Sequence, residues 1–305
     1  MLSSASNNKC MVKVASSEGV SIYCPEGGKF SFFNSPYPAH GACAAIDVYP
    51  SRDFGSVAPS PVSGEVKEIR RVACPEKNSF KSSNYDYVIL LQSLENPKRW
   101  IKILHLEPVV GVGDIINVGD DLGILLRSGF FDYWTDPHIH IEIRDPLDPI
   151  RARGGFKIKR SIFNSPNQAD NIEELRGIIV ESKMEYALMV LDKELKYGVP
   201  VKVDEEIGFI DGGIPHYGFF GIHIFSETPH KSLVKFCDIN IGVIEHVYPN
   251  MCVARCLNQV FKVKNLPVKL SFYLYLSKPL IKIIPGEIGK LKLERFEEAS
   301  IIISG

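Results

Sequence analysis

The stretch from Asp136 to Pro146, "DPHIHIEIRDP", alternates isoleucine with polar residues at strict period two, a pattern that suits a β-strand and cannot give a helix an apolar face. Similar short segments, rich in Ile and Val, recur through the first half of the chain as "GVSIYC", "AAIDVY", "SGEVKEIRRV", "YDYVILLQS" and "RWIKILHL". Between them lie "PEGG", "NSPYP", "ENPK" and "VGVGD", whose Gly, Pro, Asn and Asp residues are turn chemistry. No segment of this half sustains a helical apolar period over four turns. The pattern predicts an all-β fold, with an antiparallel sheet curled into a sandwich or an open barrel.

The 305 residues suit two domains better than one. "DPLDPIRARGG" is dense in proline, glycine and charge, and the boundary is placed just after it, giving domains 1–155 and 156–305. In the second, "IEELRGIIVESKMEYALMVLDKEL" fits either a helix or two strands, whereas "GFFGIHIFS", "VKLSFYLYLS" and "ASIIIS" read as strands. This half is also predicted to be mainly β. Its histidines 216, 223, 230 and 246 fit no metal-binding spacing and read as partly exposed strand and loop residues.

A formal net charge of −1 provides no overall field to draw nucleic acid or an anionic membrane surface, and no segment reaches transmembrane length. The first residues contain no apolar run long enough for a signal-peptide core. Seven scattered cysteines, an odd number, argue against a disulfide framework. Together these features predict a cytoplasmic protein.

In a strand, His138, His140, Glu142 and Arg144 share one face, while Ile139, Ile141 and Ile143 point to a core. The imidazoles stand roughly 6–7 Å apart along the strand. That suits one metal ligand beside one catalytic group better than two ligands on one ion. Taken alone, the same face could be an ordinary solvated surface. Upstream, however, "PAHGACAAIDVYP" carries His40 and Asp47, and "WIKILHLEP" carries His105. A catalytic zinc site needs about three protein ligands and one open position. His40, Asp47 and His140 would supply two nitrogens and a carboxylate oxygen, leaving His105 and His138 for protons and developing charge.

Taken in order, the His…Asp pair, "GSVAPSPVSGEVKEI", the His-Leu pair, "VGDIINVGDDLGILLRSG" and the final His-x-His strand resemble the lysostaphin-type zinc endopeptidases. The resemblance runs from about His40 to Arg144 and stops there. It implies a single-zinc metalloendopeptidase acting on a peptide or peptidoglycan-like substrate. By position it makes Asp47 and His140 ligands of one zinc ion, His138 the general base, and His105 the residue that positions water or stabilises the oxyanion.

One departure concerns the first ligand. The family usually places it four residues before the aspartate, where this chain has Cys43, with His40 three residues further back. Either "GACAA" loops so that His40 still reaches the site, or Cys43 is the ligand. The small residues of that loop favour His40. Two other readings stand beside the enzyme: a degenerate peptidase domain kept as a scaffold, and a biotinyl- or lipoyl-like carrier module. The carrier would need a lysine at a tight hairpin, which this sequence lacks, and it leaves five chemistry-bearing residues unexplained.

Overall fold

The computed structural model describes residues 10–77, 79–161, 166, 171–226 and 230–305. The fold is all-β. Its one named helix is a single turn, Pro38–Gly41, and the other named elements are strands. No helix among the described residues is long and apolar enough to cross a membrane. Three of the hairpins turn on two residues that both take positive φ: Glu18–Gly19, Cys237–Asp238 and Lys264–Asn265. Paired positive-φ turns match the right-handed twist of the strands they join.

The first half is built on an eight-stranded sheet. Its order is Ile115–Ile116, Gly64–Ala73, Tyr85–Ser93, Trp100–Leu104, Ile139–Arg144, Ile46–Tyr49, Lys29–Ser31 and Leu274–Tyr275. A three-stranded sheet accompanies it, in the order Val57–Pro59, Asp121–Leu125 and Leu106–Pro108. The histidine strand is thus paired along both edges. All six of its residues are buried, so the polar face is not solvated. The segment "DPLDPIRARGG" explains part of this cover. It folds back so that the carbonyls of Asp148 and Arg153 accept hydrogen bonds from the Arg144 guanidinium. On the opposite face, Ile139, Ile141 and Ile143 are fully buried, each contributing about 1.5–3 kcal/mol by removing apolar surface from water.

The ambiguous stretch in the second half forms two strands, Leu175–Ser182 and Ala187–Leu191, paired as an antiparallel hairpin. Twelve strands of this half form one continuous sheet that closes on itself twice. One six-strand ring runs through Val199–Val203, Leu233–Phe236, Ile239–Tyr248, Met251–Cys256, Phe219–His223 and Glu206–Ile214, and closes where Val199–Val203 meets Glu206–Ile214. The other runs through Leu266–Phe272, Val260–Val263, Glu298–Ser304, Leu175–Ser182, Ala187–Leu191 and Ile281–Pro285, and closes between its first and last members. Ring closure leaves no open sheet edge to aggregate.

One apolar cluster is made of residues between Ile172 and Ile301. A second fills the first half but also takes in Phe209, Met251, Val253 and Leu274. The strand Leu274–Tyr275 crosses over to pair with Lys29–Ser31, at the edge of the eight-stranded sheet. The two halves therefore share both a core and a sheet.

Candidate metal centre

The site grows out of one transverse row of the eight-stranded sheet. Ser31 pairs with Asp47, Asp47 with His140, His140 with Leu104, and Leu104 with Val88. Directly opposed residues in an antiparallel ladder project to the same face. The register alone therefore brings the Asp47 carboxylate against the His140 ring, with Oδ1 3.0 Å from Nδ1.

His40 arrives by a different route, on the single turn Pro38–Gly41. Proline at the start of the turn presets its φ. At the other end Cys43 adopts φ +57°, and the amides of Ala44 and Cys43 bond back to the carbonyls of Ala39 and His40. This bonding is a Schellman cap with a cysteine in the left-handed position that glycine usually occupies. The position where the family has its first ligand thus serves as a backbone stop. Cys43 is buried in the apolar cluster, and burial pushes its thiol well above the usual range. The turn directs His40 inward instead. Its Nδ1–H donates to the Phe32 carbonyl at 2.7 Å, leaving Nε2 3.1 Å from His140 Nδ1 and 3.3 Å from Asp47 Oδ1.

Those three separations test the fit of a zinc ion. Three ligands on bonds of about 2.0–2.1 Å in tetrahedral geometry lie roughly 3.3 Å from one another. His40, Asp47 and His140 are the group among the described residues whose ligand atoms could hold one metal ion, and all three are buried. The tautomers agree as well. His40 spends its Nδ1–H on Phe32, and His140 spends its Nε2–H on Glu142 Oε1 at 3.2 Å, so Nε2 of the first and Nδ1 of the second are the nitrogens that could hold a metal ion. The other Asp47 oxygen, Oδ2, is buried without a hydrogen-bond partner.

The electrostatics describe a seat for a cation. Burial alone would raise the Asp47 pKa, but His40, His138 and His140 hold the carboxyl well below the ordinary range. Burial likewise opposes charge on His140, yet the hydrogen bonds that its ring donates to Asp47 and Glu142 hold its pKa up at about 9. In the metal-free protein a proton on His140 thus carries the positive charge that the two carboxylates favour. A metal ion binding there must displace it.

His138 lies one residue before the strand begins. Its Nδ1–H donates to the Asp136 carbonyl at 2.9 Å, which leaves Nε2 bare and 3.6 Å from Asp47 Oδ2. The ring stacks on Phe131 and packs beside Tyr49. Burial lowers its pKa to about 4, outweighing the opposing pull of Asp47, so the ring is neutral at neutral pH. His105 follows the strand Trp100–Leu104 with φ +73°, a left-handed conformation that ends the strand. Both its amide and its Nδ1–H bond to Asp86, at 3.0 and 2.6 Å, leaving Nε2 as the free ring nitrogen. The His105 and His138 rings lie 4.9 Å apart.

Residues 23–160, which include all five predicted site residues, match a family model described as "Domain of unknown function (DUF8155) N-terminal domain". No curated protein matches the chain. Two solved structures are similar to it. "The antimicrobial peptidase lysostaphin from Staphylococcus simulans" is 14% identical, with 90% of this chain and 95% of that one covered and a TM-score of 0.27. An NMR solution structure of lysostaphin is 15% identical, with 83% and 95% covered and a TM-score of 0.27.

His105, His138 and His140 open onto a cavity of about 530 Å³. Its walls are largely apolar, with Tyr37, Leu104, Phe130, Phe131, Ile150 and Tyr217 among them. Of the four aromatics before His138, Phe130 and Phe131 wall this cavity. The other two serve packing: the Tyr133 hydroxyl bonds the Pro285 carbonyl and Trp134 packs against His216.

Sequence reasoning missed the carboxylates that orient these rings. Glu142 had been placed on the histidine face but given no role. It is fully buried and bonded to His140, Lys102 and Arg144. Asp86, the anchor of His105, carries no motif signature in the sequence. The one available signal was an acidic residue at the head of the apolar run "DYVILL", where solvent exposure is not expected. His223, read as partly exposed, is fully buried and bonded to Asp211, because its strand lies inside the first ring and against Phe32.

Proposed function

We propose that this chain is a metalloendopeptidase with a single zinc ion, held by His40 Nε2, Asp47 Oδ1 and His140 Nδ1. The observation that carries the proposal is the triangle of those three atoms, with sides of 3.0–3.3 Å, beside two further histidines that face the same cavity. A bound zinc supplies Lewis acidity, polarising a carbonyl and lowering the pKa of water.

The other residues have separate tasks. His138, neutral and with Nε2 bare, accepts a proton and passes it to the departing amine. His105, held by Asp86 at Nδ1, lines the cavity, where it positions water or stabilises negative charge developing on the carbonyl oxygen. Glu142 keeps the His140 ring in the tautomer that leaves Nδ1 for the metal. The apolar walls exclude water and bind the flanking side chains of a peptide or peptidoglycan-like substrate. The odd, scattered cysteines of the sequence suit a reducing compartment, and we propose a cytoplasmic location.

The test is cleavage of a mixed peptide library by the purified chain, read by mass spectrometry with and without a zinc chelator. Cleavage should stop with chelator and return with zinc. Cleavage that persists in both the chelated chain and His138→Ala would overturn the proposal.

A further inference from the structure

The second half reaches the metal centre through one buried carboxylate. Asp211 lies on the strand Glu206–Ile214 and is fully buried. It accepts three hydrogen bonds: from the Ser31 hydroxyl, from the Phe32 amide at 2.7 Å, and from His223 Nε2 at 3.0 Å. Both first-half partners lead straight to proposed ligands. Ser31 is the cross-strand partner of Asp47, and the Phe32 carbonyl accepts the Nδ1–H of His40.

The packing around Asp211 leaves little freedom. Its neighbour Gly212 has φ +120°, and a side chain there would press on the Phe33 carbonyl. A side chain on Gly221, which pairs with Asp211 in the next strand, would overlap the Phe33 ring. These two glycines let the second half close onto Phe32–Phe33. The Phe32 amide lies just beyond the strand Lys29–Ser31, and it donates to Asp211.

We infer that Asp211 is a positioning residue for the metal centre: by holding the Phe32 amide and Ser31, it sets the place of Phe32, whose carbonyl accepts the Nδ1–H of His40, and the place of Asp47. The inference rests on the proposed zinc centre. It makes the second half a structural part of the site, although that half supplies no ligand. Partners one step removed from a metal ligand commonly change metal affinity about 10–100-fold when removed.

The experiment measures zinc affinity of the full chain by competition with a chromophoric chelator, using zinc alone as the probe. Asp211→Asn is compared with His140→Ala and with Phe261→Leu, a core change in the other ring. The parent should bind one zinc and His140→Ala none. Asp211→Asn should bind about 10–100-fold more weakly. Phe261→Leu should melt earlier and keep the parent's affinity, because it disturbs packing alone. A folded Asp211→Asn with parental affinity overturns the positioning role and leaves the zinc centre standing. A parent that binds no zinc overturns both. If Asp211→Asn does not fold, Ser31→Ala takes its place: it removes one Asp211 bond and should weaken zinc several-fold, and unchanged affinity overturns the inference.

Discussion

Asp47 and His140 face each other across the antiparallel ladder, 93 residues apart in sequence, with Oδ1 and Nδ1 3.0 Å apart. The strand register sets this contact. A slip of one residue would turn both side chains into the apolar core. His40 joins them from outside the ladder, on a helical turn whose end is capped by Cys43.

That division of labour between His40 and Cys43 can be tested directly. Cys43→Ala should keep one zinc per chain and lose about 1 kcal/mol of stability from the missing buried sulfur. His40→Ala should lose the metal. Metal analysis of the two purified variants decides the matter, and the opposite pattern would make Cys43 the ligand.

His138 and His140, two residues apart, should respond differently to the same change. His138→Ala should abolish hydrolysis and retain zinc, because its ring lines the cavity and lies outside the group proposed to hold the metal. His140→Ala should lose both. If His138→Ala emerges metal-free, the assignment of roles within the His-x-His pair is wrong.

Glu142 neutralises two buried cations, with Lys102 Nζ 2.7 Å from one oxygen and the Arg144 guanidinium 3.0 Å from the other. Glu142→Gln leaves Lys102 without a counter-charge and Arg144 with Asp148 alone, at 3.3 Å. Breaking a buried pair from one side costs about 3–5 kcal/mol. The denaturation midpoint in urea should fall accordingly, and a loss below about 1 kcal/mol would show that solvent reaches the cluster.

Asp136 joins the halves in a similar way, between Lys29 of the first and Lys282 of the second, at 2.6 and 2.7 Å. Burial alone would raise its pKa, but the two ammonium groups hold it well below the ordinary carboxylate range. Between its unfolded value near 4 and that lower native value, the unfolded chain binds more protons. Stability therefore rises with pH across the window, is complete above about pH 5, and is lost as pH falls. Asp136→Asn should lower stability at neutral pH and flatten the acid limb of the stability–pH curve. A variant whose acid limb superimposes on the parent's would exclude Asp136 as its source.

Local pattern made much of the site legible in advance. Period-two alternation identified "HIHIEIR" as a strand and assigned its residues to two faces, since that depends only on backbone geometry within one segment. It could not show that both faces are covered. The partner strands and the return of "DPLDPIRARGG" are contacts made from elsewhere in the chain. Likewise "IEELRGIIVESKMEYALMVLDKEL" stayed open between helix and hairpin, because its apolar residues satisfy either period until ring closure requires strands.

The sequence by itself determined the all-β character and pointed to His40, Asp47, His105, His138 and His140 as the candidate site residues, because residue type, spacing and alternation are local properties. Only the tertiary structure decided which ring nitrogens stay free, that Cys43 caps a turn, that Asp86 and Glu142 bond the His105 and His140 rings, and that Asp211 reaches Ser31 and Phe32 from the second half. The physical reason is distance along the chain. These choices follow from hydrogen bonds between residues as much as 180 positions apart, as in Ser31 with Asp211, and no local pattern encodes such pairings.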